Sequence, residues 1–423
     1  MTTPANTAAP ARPGRRFTRR RHRLRAGLTQ LLFLAAGLAG GIFAPKITVS
    51  PMVPSGKIGD MLFTAGATVI SLVTVIYSLL FLVVQWVSGA FSMRLALFRN
   101  DPIVWWTFAY AIGLFVFCFT AAFAIGNDKN VSVVVPALAL ALVVGALGLM
   151  RILQTKAFTS MLLAPTLAAI TGRGREILDG LYPTARPGNP RPGNPRPAEL
   201  PPLNRTVTWP DQPTVLRQLH VEPLVAAASA AQSVVVFRQT VGVTLLPGMP
   251  VADVHGGDPG KQAVLRALVT GPERSFVQDP LLAVRLLADI ALRALSAAVN
   301  DPATAVQALD SLEGLLGPLA ARTGPTDQLT DDKGVIRVIL HLPRWDEFAR
   351  GSLDDVIAAA AASPMVLLRL RDMLIRLTPA QSAGRDVIAA RRQWVDDTLA
   401  RNFPLIWAET AAHAQPDQPA ELG

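Results

Sequence analysis

DMLFTAGATVISLVTVIYSLLFLVVQWV, residues Asp60–Val87, decides the class of this protein. Beyond Asp60 the stretch holds no Asp, Glu, Lys, Arg or His. A helix needs about 20 apolar residues to cross the hydrocarbon of a bilayer. This run exceeds that length, so it is expected to tilt or to project past the interface. Three more runs qualify on the same ground: Gly27–Pro45, Ile103–Ile125 and Val131–Leu153. The first has the basic flank and small residues of a secretory signal. The spans that follow it, and the long basic tail before it, make it a retained helix instead.

Composition agrees with four spans. Of 423 residues, 51% are hydrophobic and 17% charged, against about a quarter charged in soluble domains. The deficit lies in Gly27–Leu153, and the C-terminal half has ordinary soluble composition. The expected fold class is a membrane α-helical domain of four transmembrane helices. To it is joined a cytoplasmic α+β domain, with a small β-rich unit and a helical bundle.

The net charge is +10, and eight positive charges lie in the first 25 residues, at Arg12, Arg15, Arg16, Arg19, Arg20, Arg21, Arg23 and Arg25. A basic run directly before an apolar segment sets topology and can meet anionic lipid heads. The expected partners are the lipid bilayer and further copies of the chain, with no nucleic acid. Arg94 and Arg99 follow the second span, and Arg151, Lys156, Arg173 and Arg175 the fourth. The other loops carry less: Lys46 and Lys57 after the first span, Lys129 after the third. Positive ends alternate, as the positive-inside rule requires. The chain reads as a multi-pass protein of the bacterial inner (plasma) membrane with both termini cytoplasmic. Trp86, Trp105 and Trp106 fall near the inner interface, where indole rings prefer to sit.

Two features inside the spans carry information. Gly37 and Gly41 form a G-x-x-x-G, a spacing that lets helix backbones approach closely. In the second span, Thr64, Thr68, Ser71, Ser78 and Gln85 recur at steps of four, three, seven and seven. Those steps put the polar groups on one face of a helix. In lipid such a face turns toward protein or water, either to hydrogen-bond neighbouring helices or to line a path. No charged residue sits deep in a span, which argues against a proton-coupled transporter.

The expected organisation has seven parts. Residues 1–26 are a basic, disordered tail, and 27–155 the membrane domain. Residues 156–182 are short membrane-exit helices broken at Pro165 and Gly172. Residues 183–203 are a Pro-rich linker, with RPGNP at Arg186–Pro190 and again at Arg191–Pro195. So much Pro excludes helix and central strand and predicts an extended spacer. Residues 204–257 are the β-rich unit, with strands at Val215–Val221, Ser233–Arg238, Val241–Leu245 and Val251–Val254. A short helix lies at Glu222–Ala231. Residues 258–410 are mainly helical, and 411–423 a disordered tail.

In the helical part, Asp279-Pro280 and Asn300-Asp301-Pro302 each read as a helix start, with Asp as N-cap and Pro at the first helical position. Asp331–Leu342 reads as a strand pair turning at Lys333-Gly334. Helices follow at about Asp346–Ala362, Pro364–Thr378 and Pro379–Asn402, the last stopped by Pro404. The polar group Arg274, Asp279, Arg285, Asp289, Asn300 and Asp301, with Glu273 and Thr304 near it, is a candidate ligand or ion pocket. Helix N-termini and Arg both favour anions. Its bland reading is caps and helix-face ion pairs.

No catalytic constellation emerges, so no enzyme activity is expected. His22, His220, His255, His341 and His413 are scattered without metal-ligand spacing, and no metal or cofactor is expected. The lone Cys118 excludes a disulfide within the chain and reads as a small buried apolar residue.

Three stretches resemble the bacterial family DUF2254. Val75–Asp101 shares Tyr77-Ser78, Gln85, Ser88, Phe91-Ser92 and Arg94 with its pattern, Met93 standing where Pro is usual. Pro247–Val251 reads PGMPV. Gln278–Asp310 reads QDPLLAVRLLADIALRALSAAVNDPATAVQALD, with Ala297 where Ser-Pro is usual. The resemblance covers roughly residues 25–410 and implies membrane architecture without an established activity. Two functions remain open. One is an oligomeric channel or transporter-like protein with a cytoplasmic regulatory domain. The other is a membrane-anchored sensor or scaffold whose soluble part binds a ligand or protein.

Overall fold

The computed structural model describes residues 22–47, 51–90, 102–126, 130–182, 200–322, 327–377, 379 and 382–414. The basic tail before His22, the family-like segment with Arg94 and Arg99, and the turn at Lys129 lie outside them. So do the RPGNP repeat and the last residues of the C-terminal tail. The chain divides into two compact units, Met1–Met161 and Leu162–Gly423.

Unit 1 is built from α1 (His22–Phe43), α2 (Ser55–Ala90), α3 (Pro102–Ile125) and α4 (Val134–Met161). Four windows within them are long and apolar enough to cross a membrane: Gly27–Lys46, Ser55–Leu79, Ile103–Ile125 and Val134–Lys156. At about 1.5 Å per residue, α2 outruns an about 30 Å hydrocarbon layer.

The first Gly motif packs against α3. A Cβ on Gly37 would stand 2.2 Å from the Gly113 carbonyl oxygen, and one on Gly41 1.9 Å from Thr120 Oγ1. Small residues are what allow this backbone approach. Phe33 lies edge-on to Trp106 and Tyr110 beside it. The unit's core gathers Leu62, Val69 and Val73 of α2, Phe117, Cys118 and Ala121 of α3, and Val135, Ala139 and Leu153 of α4. Tyr110 donates across to the Leu142 carbonyl at 2.9 Å. Leu28, Leu31, Phe81 and Leu140 are exposed, as lipid-facing residues would be. The connections after α1 and α3 also pair, as β1 (Met52–Pro54) and β2 (Asn130–Ser132), antiparallel with Val53 opposite Val131.

Unit 2 opens with α5 (Leu163–Leu181). The expected breaks do not occur. Pro165 falls in the first turn, where no intrahelical donor is needed. Gly172 costs a helix about 1 kcal/mol, and the burial of Leu167, Ile170, Ile177 and Leu178 outweighs that at roughly 2 kcal/mol per large side chain. After α5 come β3 (Leu203–Thr208), β4 (Thr214–Leu219), α6 (Val221–Ala230), β5 (Ser233–Phe237), β6 (Thr244–Leu245), β7 (Pro250–Gly256), α7 (Lys261–Ala267) and β8 (Leu268–Gly271). Then follow α8 (Leu281–Ala294), α9 (Pro302–Ala320), β9 (Gln328–Thr330) and β10 (Ile336–Ile339). A helical run from Trp345 to Ala362 contains α10 (Trp345–Ala349), a π-helical turn (Arg350–Asp354) and α11 (Asp355–Ala359). The chain closes with α12 (Pro364–Arg376), α13 (Ser382–Asn402) and α14 (Pro404–Ala414). Pro404 therefore stops α13 and opens another helix, since Pro suits the first helical position.

A five-stranded sheet runs β3-β7-β5-β10-β9, and a three-stranded one β6-β4-β8. The β5–β10 pair is parallel, with Val235 opposite Val338. Strands on both sides of residue 257 thus share a sheet, so the β-rich and helical parts form one unit. Helix α8 is its centre. Leu282, Leu286, Leu287, Ile290 and Ala291 are all buried. Gly174 of α5 faces Ala283 of α8 and Leu315 of α9. Because α5 belongs here, both flanks of the Pro-rich segment lie in unit 2.

Candidate functional site

The polar residues of α2 lie on the side away from the bundle. Its buried residues are Ile58, Leu62, Val69, Val73 and Ile76. Thr64, Thr68, Ser71, Ser78 and Gln85 are all exposed, and at about 100° per residue they cluster opposite the buried face. Three hydroxyls donate to carbonyls one turn back: Thr64 to Asp60 at 2.8 Å, Thr68 to Thr64 at 2.7 Å and Ser78 to Thr74 at 2.9 Å. Ala67, Thr68, Ser71, Leu72 and Val75 line a shallow open groove there. Gln85 lies beyond the apolar window Ser55–Leu79.

The second candidate group separates into three places. Arg274 grips Asp279 with both prongs, Nε to Oδ2 at 2.6 Å and Nη2 to Oδ1 at 2.8 Å. The Asp279 side chain is fully covered. Burial pushes its carboxyl above the ordinary range, against the pull of Arg274 and of the Leu281 amide. The expected cap is a minor part of its role: Pro280 takes the N-cap position and the Leu281 amide reaches Asp279 Oδ1 at 3.2 Å. Gly242 backs the pair. Its φ is +99°, and a Cβ there would stand 2.4 Å from Asp279 Oδ2.

Arg285 joins Asp289 at 3.1 Å and Asp355 at 3.0 Å, tying α8 to the helical run beyond it. Asp301 caps α9 as its sequence implies, accepting from the Thr304 amide at 3.1 Å and its hydroxyl at 2.6 Å. Those bonds hold its carboxyl below the ordinary range. Asn300 occupies the left-handed region, φ 46°, a conformation Asn tolerates better than most residues. It makes the turn by which the Asp301 amide reaches the Ala294 carbonyl at 2.8 Å. The two helix starts therefore do not meet. Asp279 stands at the head of α8 and Asp301 at its foot, about 20 Å apart by helix rise. Among the described residues no group of three or more His, Cys, Asp or Glu could hold a metal ion.

One cationic residue escaped the sequence reading. Arg217 sits in β4, half-buried. A lone Arg in a strand gives no signal without its tertiary neighbours.

Four membrane-length helices joined to a mixed helix-and-sheet unit define a membrane protein of this architecture. The chain belongs to the family described as "Predicted membrane protein (DUF2254)", whose pattern it matches over residues 27–376. It is similar to the uncharacterized protein Rv1290c of Mycobacterium tuberculosis, at 26% identity over 370 residues, covering 81% of this chain and 69% of that one. The uncharacterized protein Mb1321c of Mycobacterium bovis is similar to the same extent, 26% over 370 residues, with 81% and 69% covered. No solved structure matches the chain.

Proposed function

We propose that the protein is a homo-oligomeric channel or transporter-like protein of the bacterial inner membrane, in which α2 helices from several copies face a shared axis. Unit 2 acts as its cytoplasmic regulatory domain, and no catalytic role is assigned. One observation carries this reading: Thr64, Thr68, Ser71 and Ser78 are exposed on the face of α2 opposite its buried one. Four spans are too few for a pore within one copy, so a path needs several copies around it. The alternating Lys and Arg of the loops support cytoplasmic termini. Full-length protein in liposomes should pass ions or small solutes, and Ser71→Leu should reduce that flux while Met61→Leu leaves it unchanged. Absence of any flux under varied voltage, or a monomeric mass in a native bilayer, would sink the proposal.

Arg217 of unit 2, half-buried with no ion pair among the described residues, favours a second reading. There the spans only anchor, and unit 2 binds a ligand as sensor or scaffold. Replacing the four spans with unrelated helices would then leave ligand response intact.

A further inference from the structure

We propose that Arg217 is the centre of an oxyanion-binding site on the three-stranded sheet of unit 2, one that takes a phosphate-type group. The strand register places it there. β4 pairs with β8 through Leu216 opposite Thr270 and Gln218 opposite Val269, so the register slips at Arg217. Such a bulge leaves one residue unpaired and re-aims its side chain.

The side chain lies over Gly271. A Cβ on Gly271 would stand 2.5 Å from Arg217 Cδ, 3.0 Å from Nη1 and 3.4 Å from Nε. The seat exists because that position lacks a side chain. Arg217 Nε is buried and has no acceptor among the described residues. Arg322 and Arg369 also have one covered nitrogen without an acceptor, yet each holds a carboxylate through its other nitrogens, as do Arg337 with Asp331 and Arg391 with Asp354. Arg217 is set apart by having no carboxylate partner among the described residues. A buried donor left without an acceptor is destabilising, the more so on a charged group. An oxyanion relieves this, because the planar guanidinium fork matches two oxygens of a phosphate at once. Ser275, four residues past Gly271 in the chain, also has a buried hydroxyl without a partner among the described residues.

The proposal rests on the reading in which unit 2 binds a ligand and does not depend on conduction along α2, so the two are tested separately. Full-length protein in phosphatidylcholine nanodiscs is titrated calorimetrically with inorganic phosphate at constant ionic strength. Saturable binding is expected, at least about tenfold weaker in Arg217→Gln, since charge-assisted bonds are the strong ones. Gly271→Ala keeps the charge and removes only its seat, so it should weaken binding too, which covers the case in which Arg217→Gln fails to fold. Arg238→Gln, which loses an exposed pair with Asp253, should bind as the unmodified chain does. Repeating the titration with phosphatidylglycerol in the disc separates the sources. A lipid headgroup in the site lowers the apparent phosphate affinity of the unmodified chain, whereas a free anion as the ligand leaves it unchanged. Titrations in both discs that are the same for the unmodified chain, Arg217→Gln and Gly271→Ala overturn the proposal.

Discussion

The guanidinium of Arg322 donates to the main-chain carbonyl of Tyr182 at 2.5 Å, and the same nitrogen reaches the Leu178 carbonyl at 2.7 Å. A second nitrogen pairs with Asp179. The Tyr182 hydroxyl in turn donates to the Pro343 carbonyl at 2.7 Å. The last turn of a helix leaves carbonyls without intrahelical partners. Here the Leu178 carbonyl already accepts from the Tyr182 amide at 2.7 Å, and a residue from beyond α9 adds a charged donor to it and to the carbonyl just past the helix, fixing the end of α5 in the unit.

Arg322→Ala should therefore loosen α5. The side chain is only 7% exposed, and losing charge-assisted bonds from a covered site is worth about 2–3 kcal/mol. Hydrogen exchange should rise along residues 163–181 more than in α8. Tyr182→Phe, which removes one hydrogen bond, should cost about 1 kcal/mol by the same reasoning. Unchanged exchange in α5 would show that its apolar face alone holds it.

Gly242→Ala tests the backing of the Arg274–Asp279 pair. A left-handed backbone with a Cβ costs about 1–2 kcal/mol. Gly248, φ +81°, has open space where a Cβ would go, so Gly248→Ala reports that backbone cost alone. Gly242→Ala should lower the melting temperature further than Gly248→Ala, the excess measuring displacement of Asp279.

Acid stability should separate two carboxyls of opposite sign. Arg376 and Arg369 bond Glu313 and hold its carboxyl below the ordinary range. A folded value below the unfolded one means stability present above the ordinary carboxylate range and lost as pH falls toward the folded value. Asp279 is raised, so its contribution is present in acid and lost as pH rises through its folded value. Melting temperatures between about pH 3 and 6, spanning the carboxylate range, should fall less steeply on acidification in Glu313→Gln. They should fall more steeply in Asp279→Asn.

In unit 1, Gly37→Ala should separate α1 from α3. Its Cβ would overlap the Gly113 carbonyl, whereas Gly148 of α4 has nothing within 4 Å of such an atom. A thermal melt in detergent should show Gly37→Ala destabilised. Gly148→Ala should be neutral or stabilised, because Ala is the better helix former by about 1 kcal/mol. Equal melts would mean that the α1–α3 contact contributes nothing.

Much of this was legible in the sequence. The spans were, because the demand for apolar length is local. The α2 face was, because hydroxyls at helical steps report one side whatever the neighbours. Asp301 declared itself through Asp-Pro and a Thr three residues on. Asp279 shared the Asp-Pro pair without the Thr, and its chief partner is Arg274; only the fold reveals that a covered carboxylate has a guanidinium within reach. The parallel β5–β10 pair was invisible for a related reason. Val235 and Val338 are each good strand residues, but nothing local tells either which strand it will join. Gly172 misled because propensity is a weak prior beside the burial of a helix face.

The place of the RPGNP repeat has a consequence for what a change in its length can touch. Residues 183–199 join α5 to β3 within one unit, while α4 passes to α5 through Leu162 alone. For a freely flexible chain, adding or deleting one repeat would alter the closure entropy of such a connection by only about 0.2 kcal/mol. The passage from α4 to α5 would be untouched. A change in repeat number therefore falls on a connection inside unit 2 and leaves the order of the four membrane-length helices and α5 as it is.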